Sequence, residues 1–228
     1  SDVSYFSEDA FRVENRGLLD DFERWVRPGR LLELGCAGGW LMKHAIERGW
    51  QAQGVELSAE AVRHARALGL EVFEGELAAA TLPKDHFDLV YMGDVLEHVP
   101  DSRAVLAECV RVLKRGGLLY LRGPTTTHSL ARSLALAAFG AMHREITLRE
   151  PPYHLWEFTP APLLGLFARC GLEVVSMRQS KIPPGRSHGS KNALERVAMA
   201  LIDTVNLPLT ALFNVRGDRI VVVGRKRA

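Results

Sequence analysis

The 228-residue chain has only three cysteines, Cys36, Cys109 and Cys170, spread widely and without a CxxC pair. An odd, scattered set supplies neither a disulfide frame nor a zinc site and fits free thiols in a reducing compartment. One-sided charge is lacking as well: 29 lysines and arginines stand against 27 aspartates and glutamates, a net charge of +2. So even a balance does not suit a nucleic-acid partner, and the closing Arg225, Lys226 and Arg227 read as a solvated tail. No apolar run approaches the ~20 residues that span a bilayer. The opening SDVSYFSEDAFRVENRG is too polar and acidic for a signal peptide. These absences lead us to expect a cytoplasmic protein without a transmembrane segment. A Pro/Gly/Ser linker, an internal repeat and a low-complexity tract are also missing, so one domain over 1–228 with a sizeable core is expected.

What the chain does have is alternation. Phe11, Leu18, Leu19, Phe22 and Trp25 recur at three- and four-residue spacings, which predicts an amphipathic helix over Glu8–Val26, ended by Pro28-Gly29. The apolar run Leu31–Leu34 follows, then a helical stretch to Arg48. QAQGVEL predicts a second strand, Ser58 an N-cap, LEVFEG a third strand and FDLVYMGD a fourth. Asp101 caps a helix through Leu113 that stops at Arg115-Gly116-Gly117, before the strand LLYLRGP. Thr125–Glu150 is then a long helical excursion. Thr159-Pro160 restarts a helix to Cys170-Gly171, and the strand LEVVSM, the amphipathic stretch Asn192–Phe213 and the strand DRIVVVG close the chain. We read Asn192–Phe213 as core, the alternative being a face for lipid or a partner subunit. The fold class expected is α/β: a doubly wound, mostly parallel seven-stranded sheet with helices on both faces and a helical insertion after strand five.

Three glycines, Gly35, Gly38 and Gly39, stand where the first strand becomes a helix. In an open α/β sheet that is where ligands bind. The spacing Gly35-x-x-Gly38-Gly39 is not the G-x-G-x-x-G of a dinucleotide fold, and no GKS or GKT follows. Nothing is therefore arranged for a pyrophosphate. Glu56, 21 residues after Gly35, ends the second strand, where a carboxylate can accept from both ribose hydroxyls. Glu76 follows the third strand, within reach of an adenine.

The motifs ELGCAGG, VELS, FEGEL, FDLVYMGDVLEHVPD and LKRGGLLYLRGP, in this order, resemble those of the class I S-adenosylmethionine-dependent methyltransferases. PPYHLWEFTPAPLLGLFARCGLEVV extends the resemblance to a bacterial small-molecule subgroup. The resemblance implies a Rossmann-like methyltransferase fold with S-adenosylmethionine as cofactor and S-adenosylhomocysteine as product. It divides the chain into an N-terminal helical cap (1–29), a cofactor-binding core (30–124), a helical insertion or lid (125–158) and the rest of the sheet (159–228). Glu33 and the backbone of Gly35, Cys36, Ala37, Gly38 and Gly39 would hold the methionine part, and Glu56, with Leu57 beside it, the ribose. Glu76 and Leu77 would flank the adenine, and Met92, Gly93 and Asp94 line the other side. Glu76 stands where the family more often has Asp, one methylene longer with the same hydrogen-bonding role.

A general base is needed only where the acceptor must lose a proton. Glu97 and His98 lie three and four residues beyond Asp94, on one face if Asp94 opens a helical turn. His98 is the candidate base. The alternatives are a structural role for Glu97 and His98, and a divalent ion held by the D-x-x-E-H set, which resembles a metal-associated arrangement in ubiquinone-pathway O-methyltransferases. We assign no metal. His154 is a second catalytic candidate, within a group comprising His128, His143, Tyr153 and Trp156 that alternatively seats the excursion on the sheet. Tyr5, Phe6 and Arg12 are candidates for closing over the cofactor, Arg12 against an acceptor carboxylate; the alternative is an ordinary helix packed on the sheet edge. Methyl transfer needs no thiol nucleophile, and Cys36 reads as a small turn residue. The acceptor expected is a small-molecule hydroxyl; alternatives are an N- or C-methyl acceptor, or a non-catalytic donor-binding regulator. No NPPY- or DPPY-like clamp follows strand four, which argues against DNA or glutamine-amide methylation.

Overall fold

The computed structural model describes residues 8–125, 154–181 and 206–227, with positions 133, 137 and 204 besides. Most of the excursion, with His128, His143 and Tyr153, lies outside the described residues, as do Tyr5, Phe6 and most of 192–205.

Side-chain parity explains the layering. Successive residues of a strand face opposite sides of the sheet, and here both sides are apolar. On β1 (Arg30–Leu34), Leu31 packs with one core cluster and Leu32 with another. On β4 (Phe87–Gly93), Leu89 and Tyr91 join the first and Val90 and Met92 the second. Helices α1 (Glu8–Glu23), α2 (Trp40–Glu47) and α3 (Ala59–Ala67) cover the first face, through Phe22, Met42 and Val62 among others. Helices α4 (Ser102–Val112) and α5 (Pro160–Arg169) cover the second, through Leu106 and Phe167. A sheet buried on both faces reads as continuous apolar runs, as the strands here do.

The remaining strands are β2 (Gln51–Glu56), β3 (Glu71–Glu74), β5 (Leu113–Pro124), β6 (Leu172–Ser180) and β7 (Arg219–Lys226). Together the described strands form one sheet in the order β3-β2-β1-β4-β5-β7-β6. β7 runs antiparallel to both β5 and β6, while β1 to β5 pair in parallel. The doubly wound expectation holds. The order reverses between β1 and β4, so their carboxyl ends flank the crevice where open α/β sheets take ligands.

One boundary differs from the sequence expectation. Helix α4 ends at Val112 and β5 begins at once with Leu113, which pairs with Phe87. The register then shifts between Phe87 and Leu89, so 114–117 form an irregularity within the strand. A Cβ at Gly117 would lie 2.9 Å from the Lys114 carbonyl oxygen and 3.1 Å from that of Phe87. Gly117 therefore serves a close backbone approach inside a strand, where the sequence suggests a helix stop. Residues 206–213 are helical, the described end of the amphipathic stretch. No helix among the described residues is long and apolar enough to cross a membrane.

Candidate active site

The turn after β1 needs glycine at two positions. Gly35 has φ +68° and Gly39 φ +85°, the left-handed region that side chains rarely adopt. A Cβ at Gly35 would sit 2.6 Å from Val95 Cγ2, and one at Gly39 2.4 Å from Leu70 Cδ1. The turn is thus packed from below by α3 and by Leu70 just before β3, and from the side by the loop after β4. Ala37 also adopts a left-handed conformation, with φ 47°. Its N–H donates to Glu56 Oε2 at 2.9 Å, and the Ser58 N–H donates to Glu56 Oε1 at 2.8 Å. Two backbone donors so fix one carboxylate at the end of β2, leaving each oxygen a further lone pair.

A cavity of about 430 Å³ opens over this turn, between α1, the start of α2 and the ends of β1, β4 and β5. Of the residues expected from sequence, Glu33, Gly35, Cys36, Ala37, Gly38, Gly39, Glu56, Gly93 and Asp94 line it. Met92 does not: parity turns its side chain, 0% exposed, into the opposite core. Leu57 is exposed beside Glu56, Glu76 is exposed, and Leu77 is buried in the second core; none of the three lines the cavity. Lining residues that sequence reasoning missed include Glu14, Asn15, Trp40, Tyr91, Val95 and Arg122. Arg12, by contrast, is exposed on α1.

The cavity's electrostatics are dominated by carboxylates. Glu33 is 6% exposed and its Oε2 makes no hydrogen bond. Burial pushes its pKa well above the ordinary value; the neighbouring Glu56 adds to the rise, while Arg122 opposes it. Glu14, Glu56 and Asp94 complete an acidic lining in which Arg122 is the cation. Burial also holds the Cys36 thiol protonated, which excludes it as a nucleophile at neutral pH.

Beyond β4 the chain makes a single 3₁₀ turn, Leu96–His98, and Asp94 stands outside it with φ 55°. Asp94 therefore does not share a helical face with Glu97 and His98, and its Oδ2 instead accepts from Arg219 Nη2 at 2.8 Å. The residue that joins them is His154. The backbone N–H groups of Leu155 and Trp156 donate to the Glu97 carbonyl at 2.8 and 3.1 Å, and Trp156 Nε1 donates to the Val99 carbonyl at 2.8 Å. This zipper sets the His154 and His98 rings edge to face, with centroids 5.0 Å apart. One ligand atom from each of Glu97, His98 and His154 falls within 4.8 Å of the others. Glu97 is 2% exposed, its Oε1 has no hydrogen bond, and burial pushes its pKa up to about 7.

Comparison with known proteins gives a concordant picture. Residues 7–177 match the family model described as a methyltransferase domain. Ubiquinone biosynthesis O-methyltransferase of Ralstonia nicotianae is 31% identical over 163 residues, covering 68% of this chain and 67% of that protein. The protein of the same name from Xanthomonas euvesicatoria pv. vesicatoria is 32% identical over 167 residues, 69% of this chain and 68% of its own length. Among solved structures, a SAM-dependent methyltransferase from Archaeoglobus fulgidus superposes with a TM-score of 0.65 at 17% identity, covering 96% of this chain and 95% of its own. An S-adenosylmethionine-dependent methyltransferase from Mesorhizobium loti gives 0.59 at 18% identity, covering 96% and 98%. These two bear on the fold.

Proposed function

The chain belongs to the class I S-adenosylmethionine-dependent methyltransferases, and from that premise we propose that its acceptor is a hydroxyl group on a small molecule, deprotonated by His98. The observation that carries the reading is the cluster of Glu97, His98 and His154, whose ligand atoms lie within 4.8 Å just beyond Val95 of the cavity wall. The O-methyltransferases among its relatives support the choice of oxygen.

S-adenosylmethionine is the cofactor, and it brings a methyl group already activated on a sulfonium. The cavity suits that group on three counts. Its lining is acidic, the glycine turn leaves backbone exposed, and a buried carboxylate oxygen awaits a donor. We assign Glu33 to the α-ammonium, Glu56 to the ribose hydroxyls and the Gly35–Gly39 backbone to the methionyl chain. Leu57 we leave beside the ribose, and Glu76 and Leu77 to the adenine, beyond the cavity. The remaining work of the protein is alignment and exclusion of water. His98 takes the hydroxyl proton, and Glu97, with an oxygen 3.9 Å from His98 Nε2, offsets the charge that forms on the imidazole. His154 walls the same spot.

A divalent cation at Glu97, His98 and His154 is a second reading, favoured by the same ligand spacing. The chemistry such an ion supplies is polarisation of an oxygen. One experiment separates the two. With a phenol acceptor, His98→Ala should lower turnover by about 10²–10⁴ and leave S-adenosylhomocysteine affinity and the unfolding midpoint unchanged. Native enzyme treated with chelator should keep its activity; loss restored by Mg²⁺ would transfer the role to the ion. Full turnover by His98→Ala would remove His98 from the chemistry.

A further inference from the structure

Arg219 opens β7, ahead of the apolar run 220–223. Neither the donor cavity nor the proposed acceptor chemistry uses it. In register it lies between Pro124, the last residue of β5, and Ser180, the last of β6. That places it at the carboxyl end of β5, the end of the sheet where the acceptor cluster stands. Gly123, next to Pro124, makes the link: a Cβ there would lie 3.7 Å from Glu97 Oε2.

The backbone around Arg219 is fixed on both sides. The Thr125 N–H donates to the Asp218 carbonyl at 2.6 Å and Thr125 Oγ1 to that of Gly217 at 3.1 Å. The Asp218 N–H donates to the Ser180 carbonyl at 2.9 Å, and Lys181 Nζ and Asp218 Oδ2 form a largely buried ion pair at 2.6 Å. From this anchor the side chain crosses β5 to the turn after β4, where Nη2 meets Asp94 Oδ2 at 2.8 Å. The turn is fixed as well, since the Asp94 N–H donates to the Arg122 carbonyl at 2.8 Å.

Charge alternates along the resulting row. Glu14 on α1 pairs with Arg122 at 2.5 Å, Asp94 stands 3.7 Å from Arg122 and 2.8 Å from Arg219, and the row ends there. Among the described residues Asp94 is the only side-chain partner of Arg219, which keeps 30% of its side chain exposed. A guanidinium offers five N–H donors in a planar fork that matches the two oxygens of a carboxylate. A row of paired charges thus ends in a cation with donors to spare, on the strand end next to Glu97.

We propose that Arg219 is a specificity residue of the acceptor site and selects hydroxyl acceptors that also carry a carboxylate. The inference rests on the hydroxyl-acceptor reading above. The competing view makes Arg219 a strut that only holds the Asp94 turn.

Steady-state methylation of two matched acceptors, 3,4-dihydroxybenzoate and 3,4-dihydroxybenzamide, decides between them. The two share their hydroxyls and shape and differ in charge. The native chain should prefer the acid by about ten- to a hundred-fold in kcat/KM, the scale of a hydrogen-bonded charge pair, with the difference carried by KM. In Arg219→Met the ratio should fall to near one, and Arg219→Lys, which keeps the charge without the fork, should recover part of it. A native ratio near one, or one in favour of the amide, overturns the proposal without any variant. If Arg219→Met slows both acceptors and preserves their ratio, Arg219 is a strut and the proposal is overturned. If the native chain binds S-adenosylhomocysteine yet methylates neither compound, the hydroxyl reading fails and this inference falls with it.

Discussion

Glu33→Gln should unfold at a higher temperature than the native chain at pH 8 and bind S-adenosylhomocysteine more weakly. Glu33 is a buried acid whose Oε2 has no donor and whose ionisation burial opposes. An acid with a raised folded-state pKa is most at ease protonated. Its cost is absent at low pH and grows as pH rises above 4.5, the value the group has when solvated. Removing an unpaired buried charge should restore about 1–3 kcal/mol. For a chain of this size that corresponds to roughly 2–10 °C in Tm. The gain should vanish near pH 4, where both side chains are neutral. The loss of affinity arises because the amide offers the ligand's ammonium no charge. A variant that binds as tightly as the native chain would take Glu33 out of the site, and one with no gain at pH 8 would show that the carboxylate is already satisfied. Such an exchange of stability for function is common in binding sites.

The second large effect concerns Glu97. Its carboxyl is 2% exposed and pushed up to about 7, against an ordinary 4.5, with burial the main cause. The folded state therefore holds a proton that the unfolded state has released, and stability should fall as pH rises through the window between those values. The fall from this group alone is about 3 kcal/mol, from roughly 1.4 kcal/mol per unit. Histidines titrate in the same window, so the quantity to measure is the difference between native and Glu97→Gln. Thermal unfolding from pH 4.5 to 8, with chelator present, should show the variant gaining relative to the native chain by that amount. Parallel curves would mean that Glu97 is ionised throughout, held by partners such as His98 and His154.

Local signals made much of this protein legible. Alternating strands and helices gave the layering, because continuous apolar runs and amphipathic periods are properties of short windows. The turn at Gly35–Gly39 and the acid at Glu56 were readable for the same reason, each tied to the end of a strand. The misses share a different cause. Met92 departs from its expected role, and Arg122 went unnoticed, by parity: a strand buried on both faces does not reveal which face a given residue takes. The available clue was an arginine breaking an apolar strand at its carboxyl end. Glu14 and Asn15 reach the cavity only because α1 packs across the sheet, where Arg122 meets Glu14 at a separation of 108 residues. His154 replaces Asp94 beside His98 through backbone hydrogen bonds to Glu97, which no spacing rule encodes. Gly116-Gly117 misled in the other direction, since a bulge and a helix stop ask for the same residues.

The central claim is that the cavity over the glycine turn takes an adenosyl amino acid and not a dinucleotide. Calorimetric titration of the native chain with S-adenosylhomocysteine, run beside NADH, tests it most directly. Micromolar, one-to-one binding of the former with no heat from NADH is the expected result. Binding of NADH alone, or of neither, would contradict the claim and return the three glycines to the status of a turn.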